Sequence, residues 1–404
     1  MRILKNTNLH VILGVAFFAV AGNGILAPIL GSLAEPMGRS LETLSYMLTV
    51  FTGSVIVFTP ILGLLADRYG RRKILLPTIF LFGVGAFIPL ADSFGFMLFL
   101  RALQGVAVAG MASLAVTLIG DLYRGEERAK AMSLRTTVHS LGLASSPFIA
   151  GVLVTVNAMY PFYLFALVFP LWVYAYFFLD KDHDKFGSLG MKYVSDLWAV
   201  LKRRQTWAVF YSIFHICVLF YMMLIFVPIL LSAQYGMTPF AQGAVVSFFF
   251  LLAALVSAGA QRMMERFRDQ HIIVVSFAVI GFVLSVMPFV HSFPLFIILT
   301  IIWAIAHGIS FTPIYVLASA LTPTPLRAGA VAGAFMVTYL SVTISTPVFF
   351  YILSSTNNDL NITFLSAGIF ALLPFLLALI GRFQIEEKPA EVLFGDPNLD
   401  GSPL

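Results

Sequence analysis

The 404 residues are 60% hydrophobic and only 11% charged, with a mean hydropathy of +0.95, a net charge of +5 and one cysteine. Soluble domains carry about 25% charged residues, so the shortage excludes a soluble fold, while apolar runs of about twenty residues exclude the alternating strands of a transmembrane β-barrel. One cysteine makes no internal disulfide, no Cys/His spacing suggests zinc, and the dispersed positive charge suits anionic lipid rather than nucleic acid.

Twelve charge-poor stretches are long enough to cross a bilayer core of about 30 Å as helices. They run 10–34, 43–66, 74–91, 95–119, 131–155, 160–180, 207–233, 239–260, 271–290, 294–320, 327–353 and 362–382. Helix is the expected state, because a backbone in lipid must satisfy its N–H and C=O groups within its own segment. Span 1 has the basic start and small residues of a signal peptide, but its length and the alternation it begins predict a retained helix. Lys and Arg fall in every second loop, beginning with Arg2 and Lys5 and then Arg68, Arg71, Arg72 and Lys73, whereas the intervening loops hold only Arg39. This asymmetry predicts cytoplasmic termini and a multi-pass protein of the cell (inner) membrane. Arg101 and Arg135 are the two cations inside spans.

The chain repeats itself. Asp67-Arg68-Tyr69 recurs as Glu265-Arg266-Phe267, Arg128-Ala129 as Arg327-Ala328, and Ser145-Ser146-Pro147 as Ser345-Thr346-Pro347, at offsets of 198, 199 and 200 residues. The expected fold is therefore an all-α membrane protein of two pseudo-symmetric six-helix bundles, 1–180 and 207–383. Residues 181–206 would be a cytoplasmic linker and 384–404 a disordered tail. Within the linker, 196–204 reads either as a helix at the membrane interface or as a solvated tether.

Gly63-Leu64-Leu65-Ala66-Asp67-Arg68-Tyr69-Gly70-Arg71-Arg72-Lys73, placed between spans 2 and 3, resembles the signature loop of the major facilitator superfamily. The resemblance implies a cytoplasmic latch in which Asp67 meets the amino end of span 11 and Arg71 pairs with Asp121, with Gly63, Arg68, Gly70 and Arg72 completing the motif. Gly63 would permit close helix approach and Gly70 a tight turn; the plain alternative for the cations is that they only enforce topology. Arg101-Ala102-Leu103-Gln104-Gly105 matches a second family pattern, whose Arg is associated with proton transfer. An intramembrane Arg is a functional candidate in its own right, unless it snorkels to the surface. Gly142, Pro147 and Gly151 match the span 5 motif of exporters, with Ser146 and Ala150 standing where the family has Gly. The whole resembles the drug:proton antiporter branch.

No zincin, nucleophile-elbow, P-loop or paired-carboxylate pattern is present, so an enzyme is not expected. No cofactor or metal is expected either, and the protein is read as a monomer. A transporter of this family would bind its substrate between the halves, along spans 1, 4, 7 and 10. There the sequence offers Asn23, Gln104, Tyr211, His215, Tyr221, Met222, Trp303, His307 and Phe311. Trp303, His307, Phe311 and Tyr315 form one stripe, which is either helix packing or a wall for a hydrophobic or amphiphilic molecule. No carboxylate lies near the middle of a span, so the proton-coupling candidates are Arg101, Glu35, His139, His215 and His307, although a buried His is also an ordinary packing hydrogen-bonder. The functional reading is proton-coupled efflux of a small molecule, with an importer or facilitator, and a non-transporting receptor or scaffold, as the alternatives.

Overall fold

The structure, a computed structural model, describes residues 6–180, 204–264, 266–320 and 327–379. Side chains at 204, 205, 261, 319, 320, 327–332 and 379 are not described. The linker, the tail and the amino end of span 11, where three expectations fall, thus lie wholly or in their side chains outside the described residues. All regular structure among the described residues is helical, and 12 helices are long and apolar enough to cross a membrane.

In order these are spans 1 to 12: Thr7–Gly24, Leu41–Tyr69, Arg71–Leu90, Phe94–Leu122, Gly125–Val156, Tyr160–Phe178, Thr206–Tyr235, Pro239–Gly259, Asp269–Phe289, Phe293–Ala318, Gly333–Ser355 and Leu360–Ala378. Their starts follow local chemistry. The Asn6, Ser40 and Ser93 side chains accept from the backbone N–H groups of Asn8, Thr43 and Phe96, satisfying donors that a helix leaves open. Between spans 2 and 3, Gly70 has φ of 105°, a conformation only glycine adopts without strain, and makes the expected tight turn. The close approach expected at Gly63 is not found among the described residues: a Cβ there would meet none of them within 4 Å, and the neighbouring Ile61 and Leu64 are exposed.

Two spans are irregular at matching places. Span 1 breaks at Ile25 and resumes as Leu26–Met37, and span 7 makes a π-turn over Met222–Phe226. Each irregularity lies just before a proline, Pro28 or Pro228, and these stand 200 residues apart. Pro28 has no N–H for the Gly24 carbonyl and Pro228 none for that of Leu224, so neither helical ladder can continue undisturbed.

The described residues form two compact units. The first holds spans 1 to 6 with Tyr221–Leu251 and Val342–Asp359; the second holds the remaining parts of spans 7, 8 and 11 with spans 9, 10 and 12. The contact boundary thus runs through spans 7, 8 and 11 instead of following the linker, because Tyr221–Leu251 and Val342–Asp359 pack on the first six spans.

Candidate functional site

Arg101 lies in the second turn of span 4 and is 0% exposed, so it does not snorkel. Its guanidinium is caged by neutral oxygens. Nε donates to the Met47 carbonyl at 3.1 Å, and Nη1 donates to the Gly22 carbonyl at 3.1 Å and to Gln104 Oε1 at 2.7 Å. Nη2 donates to Asn23 Oδ1 at 3.1 Å, and the Phe51 ring lies 4.3 Å from the guanidinium carbon. Among the described residues no carboxylate pairs with it.

Each partner is itself positioned. Gln104 is fixed by its Nε2 donating to the Phe82 carbonyl at 3.1 Å. Gly22 sits in the last turn before the break in span 1, where carbonyls lack intrahelical donors. Gly105 admits the close crossing, since a Cβ there would strike the Phe51 carbonyl of span 2. Asn23 then carries the network into span 7, donating from Nδ2 to the Tyr221 hydroxyl at 3.3 Å. The bond joins the two helices that the repeat makes equivalent, each beside its irregularity.

Further contacts close the same side of this unit. Thr343 of span 11 donates to Thr52 of span 2 at 2.7 Å. Gly151 lies on the Pro239 carbonyl and Gly243 on that of Pro147, so spans 5 and 8 meet through reciprocal Pro-x-x-x-Gly steps. Gly142 packs closely on Phe17 and Val20 of span 1. All three glycine and proline positions of the span 5 motif therefore sit in tight helix contacts.

About 30 Å further along span 4, twenty residues beyond Arg101, the signature loop is anchored. Arg71 pairs with Asp67 and, at 3.2 Å, with Asp121. Arg72 donates to the Tyr176 carbonyl, and Arg68 lies over the Tyr69 ring at 5.4 Å. The span 11 partner expected for Asp67 lies outside the described residues.

The second unit holds the aromatic candidates. His215 is buried, shares its Nδ1 with the Tyr211 carbonyl at 3.1 Å and stacks on Phe370 with centroids 4.0 Å apart. His307 stacks on Phe311 at 5.7 Å, and Phe311 lies 4.7 Å from Tyr315. Tyr315 in turn bonds Thr338 at 2.8 Å and lies 3.7 Å from the Cys217 sulfur. Trp303 is wholly buried. The structure thus gathers Asn23, Arg101, Gln104 and Tyr221 in one unit with Met222 buried alongside, and Tyr211, His215, Trp303, His307 and Phe311 in the other. Glu35 is exposed at the end of Leu26–Met37, and His139 is half-buried one turn from Arg135. Phe51, Thr52, Thr343, Pro239 and Gly243 were not singled out from the sequence; the spacing shared by Pro147-Gly151 and Pro239-Gly243 was the available signal.

The sequence model of the Major Facilitator Superfamily matches residues 12–238 and 214–397. The chain belongs to that superfamily. The bacillibactin exporter of Bacillus subtilis is 22% identical over 403 residues, covering 94% of this chain and 98% of its own. Multidrug resistance protein 1 of the same organism is 29% identical over 168 residues, 41% of this chain and 43% of that one. Quinolone resistance protein NorA of Staphylococcus aureus is 27% identical over 160 residues, 39% and 41% of the two chains. Among solved structures, a D-xylose-proton symporter superposes with a TM-score of 0.75 at 16% identity, covering 92% of this chain and 96% of that one. The chain is therefore a major facilitator transporter, with exporters and multidrug efflux proteins among its relatives, and not an enzyme.

Proposed function

We propose that this transporter exports a small hydrophobic or amphiphilic compound by alternating access, in exchange for protons, as a monomer in the cell membrane with cytoplasmic termini. The observation that carries the reading is the caged guanidinium of Arg101. A wholly buried cation with no carboxylate beside it is expensive in a membrane protein and is kept where a function needs it. Guanidinium does not deprotonate, so Arg101 is a positioning residue: it holds Asn23 at the break in span 1, and through Asn23 it holds Tyr221 at the π-turn of span 7. The closure at Asn23–Tyr221, Thr52–Thr343 and Pro147–Gly243 fits one end state of the cycle, with the outer side shut. Opening it breaks two hydrogen bonds and separates a small-residue crossing, a modest barrier suited to a gate.

The aromatic faces around His215 and His307 favour apolar cargo over a sugar, which needs more hydrogen-bonding groups. These imidazoles are also the proposed proton carriers, since the spans hold no central carboxylate. Relatives that export bacillibactin or confer drug resistance support the outward direction.

The test uses inverted membrane vesicles loaded with the protein, ethidium as the probe and an imposed pH gradient. Ethidium should accumulate inside when the lumen is acid and leak out when the gradient is collapsed. Accumulation indifferent to the gradient would remove the antiport reading, and movement only in the opposite sense would favour an importer.

A further inference from the structure

Away from the buried network, the outward face of the first unit carries a groove of about 860 Å³ among spans 2, 3, 4 and 6. Its wall follows span 3, where Lys73, Pro77 and Phe80 recur at helical spacing and so form one stripe. Opposite stand Trp172 and Tyr176 of span 6, with Val106 of span 4 at the base. Phe80 meets Trp172 edge-on at 5.3 Å, and Trp172 meets Tyr176 at 5.9 Å.

The two ends of the groove differ. Toward the loop end stands Lys73, exposed and, among the described residues, with no acidic partner. Its neighbour Arg71 is held by two carboxylates, and Arg72 ties span 3 to span 6 through the Tyr176 carbonyl. From Lys73 to Phe80 the helix rises about 10 Å, the reach of a headgroup and the upper part of an acyl chain. Trp and Tyr are the residues that favour that depth of a bilayer.

The repeat supplies an internal control. Ile74, Pro77, Thr78 and Leu81 of this groove have counterparts 198 residues on, Ile272, Val275, Ser276 and Val279, and these line a groove of about 260 Å³ in the second unit. There the place of Lys73 is taken by His271, and among the described residues no Trp or Tyr lines the wall. The apolar wall is common to both halves; among the described residues, the cation without an acidic partner, the aromatic pair and the larger volume belong to the first.

We propose that the groove of the first unit binds one anionic glycerophospholipid, its acyl chain along the stripe from Lys73 to Phe80 and its phosphate on the Lys73 ammonium. A zwitterionic lipid fills the same apolar wall but brings a cation of its own beside Lys73, so the headgroup charge decides the preference. The site rests on the membrane embedding of span 3, not on the direction or coupling of transport.

The experiment reconstitutes the full chain in phosphatidylcholine vesicles containing a minor fraction of brominated phosphatidylglycerol or brominated phosphatidylcholine in both leaflets. The emission lost in Trp172→Phe isolates the signal of Trp172. That signal should be quenched by phosphatidylglycerol with an apparent affinity about fivefold higher than by phosphatidylcholine, the ratio given by ~1 kcal/mol for one basic side chain near an anionic headgroup. Lys73→Gln should bring the two lipids to parity, and Lys73→Arg should keep the preference, which separates charge from any general disturbance of the fold. Equal quenching in the natural protein would overturn the proposal, as would a preference that survives Lys73→Gln.

Discussion

Spans 4 and 10 occupy equivalent places in the repeat, yet they are built to opposite ends. At an offset of 199 residues, Arg101 corresponds to Thr300 and Gln104 to Trp303. Arg101 and Gln104 reach away from their own helix to Gly22, Asn23, Met47 and Phe82. Thr300 is equally buried but turns back, donating to the Phe296 carbonyl of its own helix at 2.9 Å. Conversely His307 on span 10 corresponds to Val108 on span 4, and both are buried. Duplication has preserved where the helix lies and not what it carries. The first half holds a fixed charge in a polar cage, and the second holds aromatic and titratable side chains.

The sharpest way to break this contrast is to empty the cage. Arg101→Ala removes the guanidinium donors from four buried oxygens, of which the Met47 carbonyl keeps its helical bond, at about 1–3 kcal/mol for each oxygen left unsatisfied before relaxation. Ethidium transport should fall by about 100-fold, roughly the 2.7 kcal/mol that one or two such groups represent, and the thermal transition in detergent should drop. Arg101→Lys should restore little, because one ammonium cannot span acceptors arranged around a planar fork. Thr300→Ala should change transport by less than about twofold, since it removes only a bond within its own helix. Equal effects at 101 and 300 would erase the difference between the halves.

A second pair of substitutions tests the other side of the contrast. His215→Gln and His307→Gln keep a polar side chain but remove the titratable imidazole, so at least one should flatten the pH dependence of initial transport rates. Profiles unchanged in both variants would contradict coupling through these imidazoles. At the small-residue crossing, Gly151→Ala and Gly243→Ala should each lower the thermal transition by several degrees, because the added methyl meets a proline carbonyl. Gly63→Ala faces open space and should not. The smallest expected effect is that of Tyr221→Phe, which removes one hydrogen bond of about 0.6 kcal/mol. It should raise the rate at which an outer cysteine reacts with an impermeant thiol reagent about threefold.

The twelve spans were legible because lipid demands about twenty apolar residues per crossing, and the repeat was legible from three loop and helix motifs at near-constant offset. Arg101 announced itself as a charge inside a span. Its cage did not, because two of its four acceptors are backbone carbonyls, to which a side-chain sequence is blind. Tyr221 was read as a cavity wall, and its hydrogen bond with Asn23 was not foreseen. The break in span 1 and the π-turn in span 7 were both signalled by Pro28 and Pro228 but passed unread, since a helix in lipid tolerates proline in many geometries. Gly63 failed in the other direction: a glycine in a motif suggested contact, and a Cβ there would meet none of the described residues within 4 Å.

The central claim, that the seam joining spans 1, 2 and 5 to Tyr221–Leu251 and Val342–Asp359 opens in every transport cycle, has a direct test. Thr52 and Thr343 touch through their hydroxyls at 2.7 Å, and Cys217 is the only cysteine of the chain. In a Cys217→Ala background, Thr52→Cys with Thr343→Cys should form a disulfide under mild oxidation and stop ethidium transport, and reduction should restore it. A disulfide that forms fully while transport continues at its former rate would contradict the account.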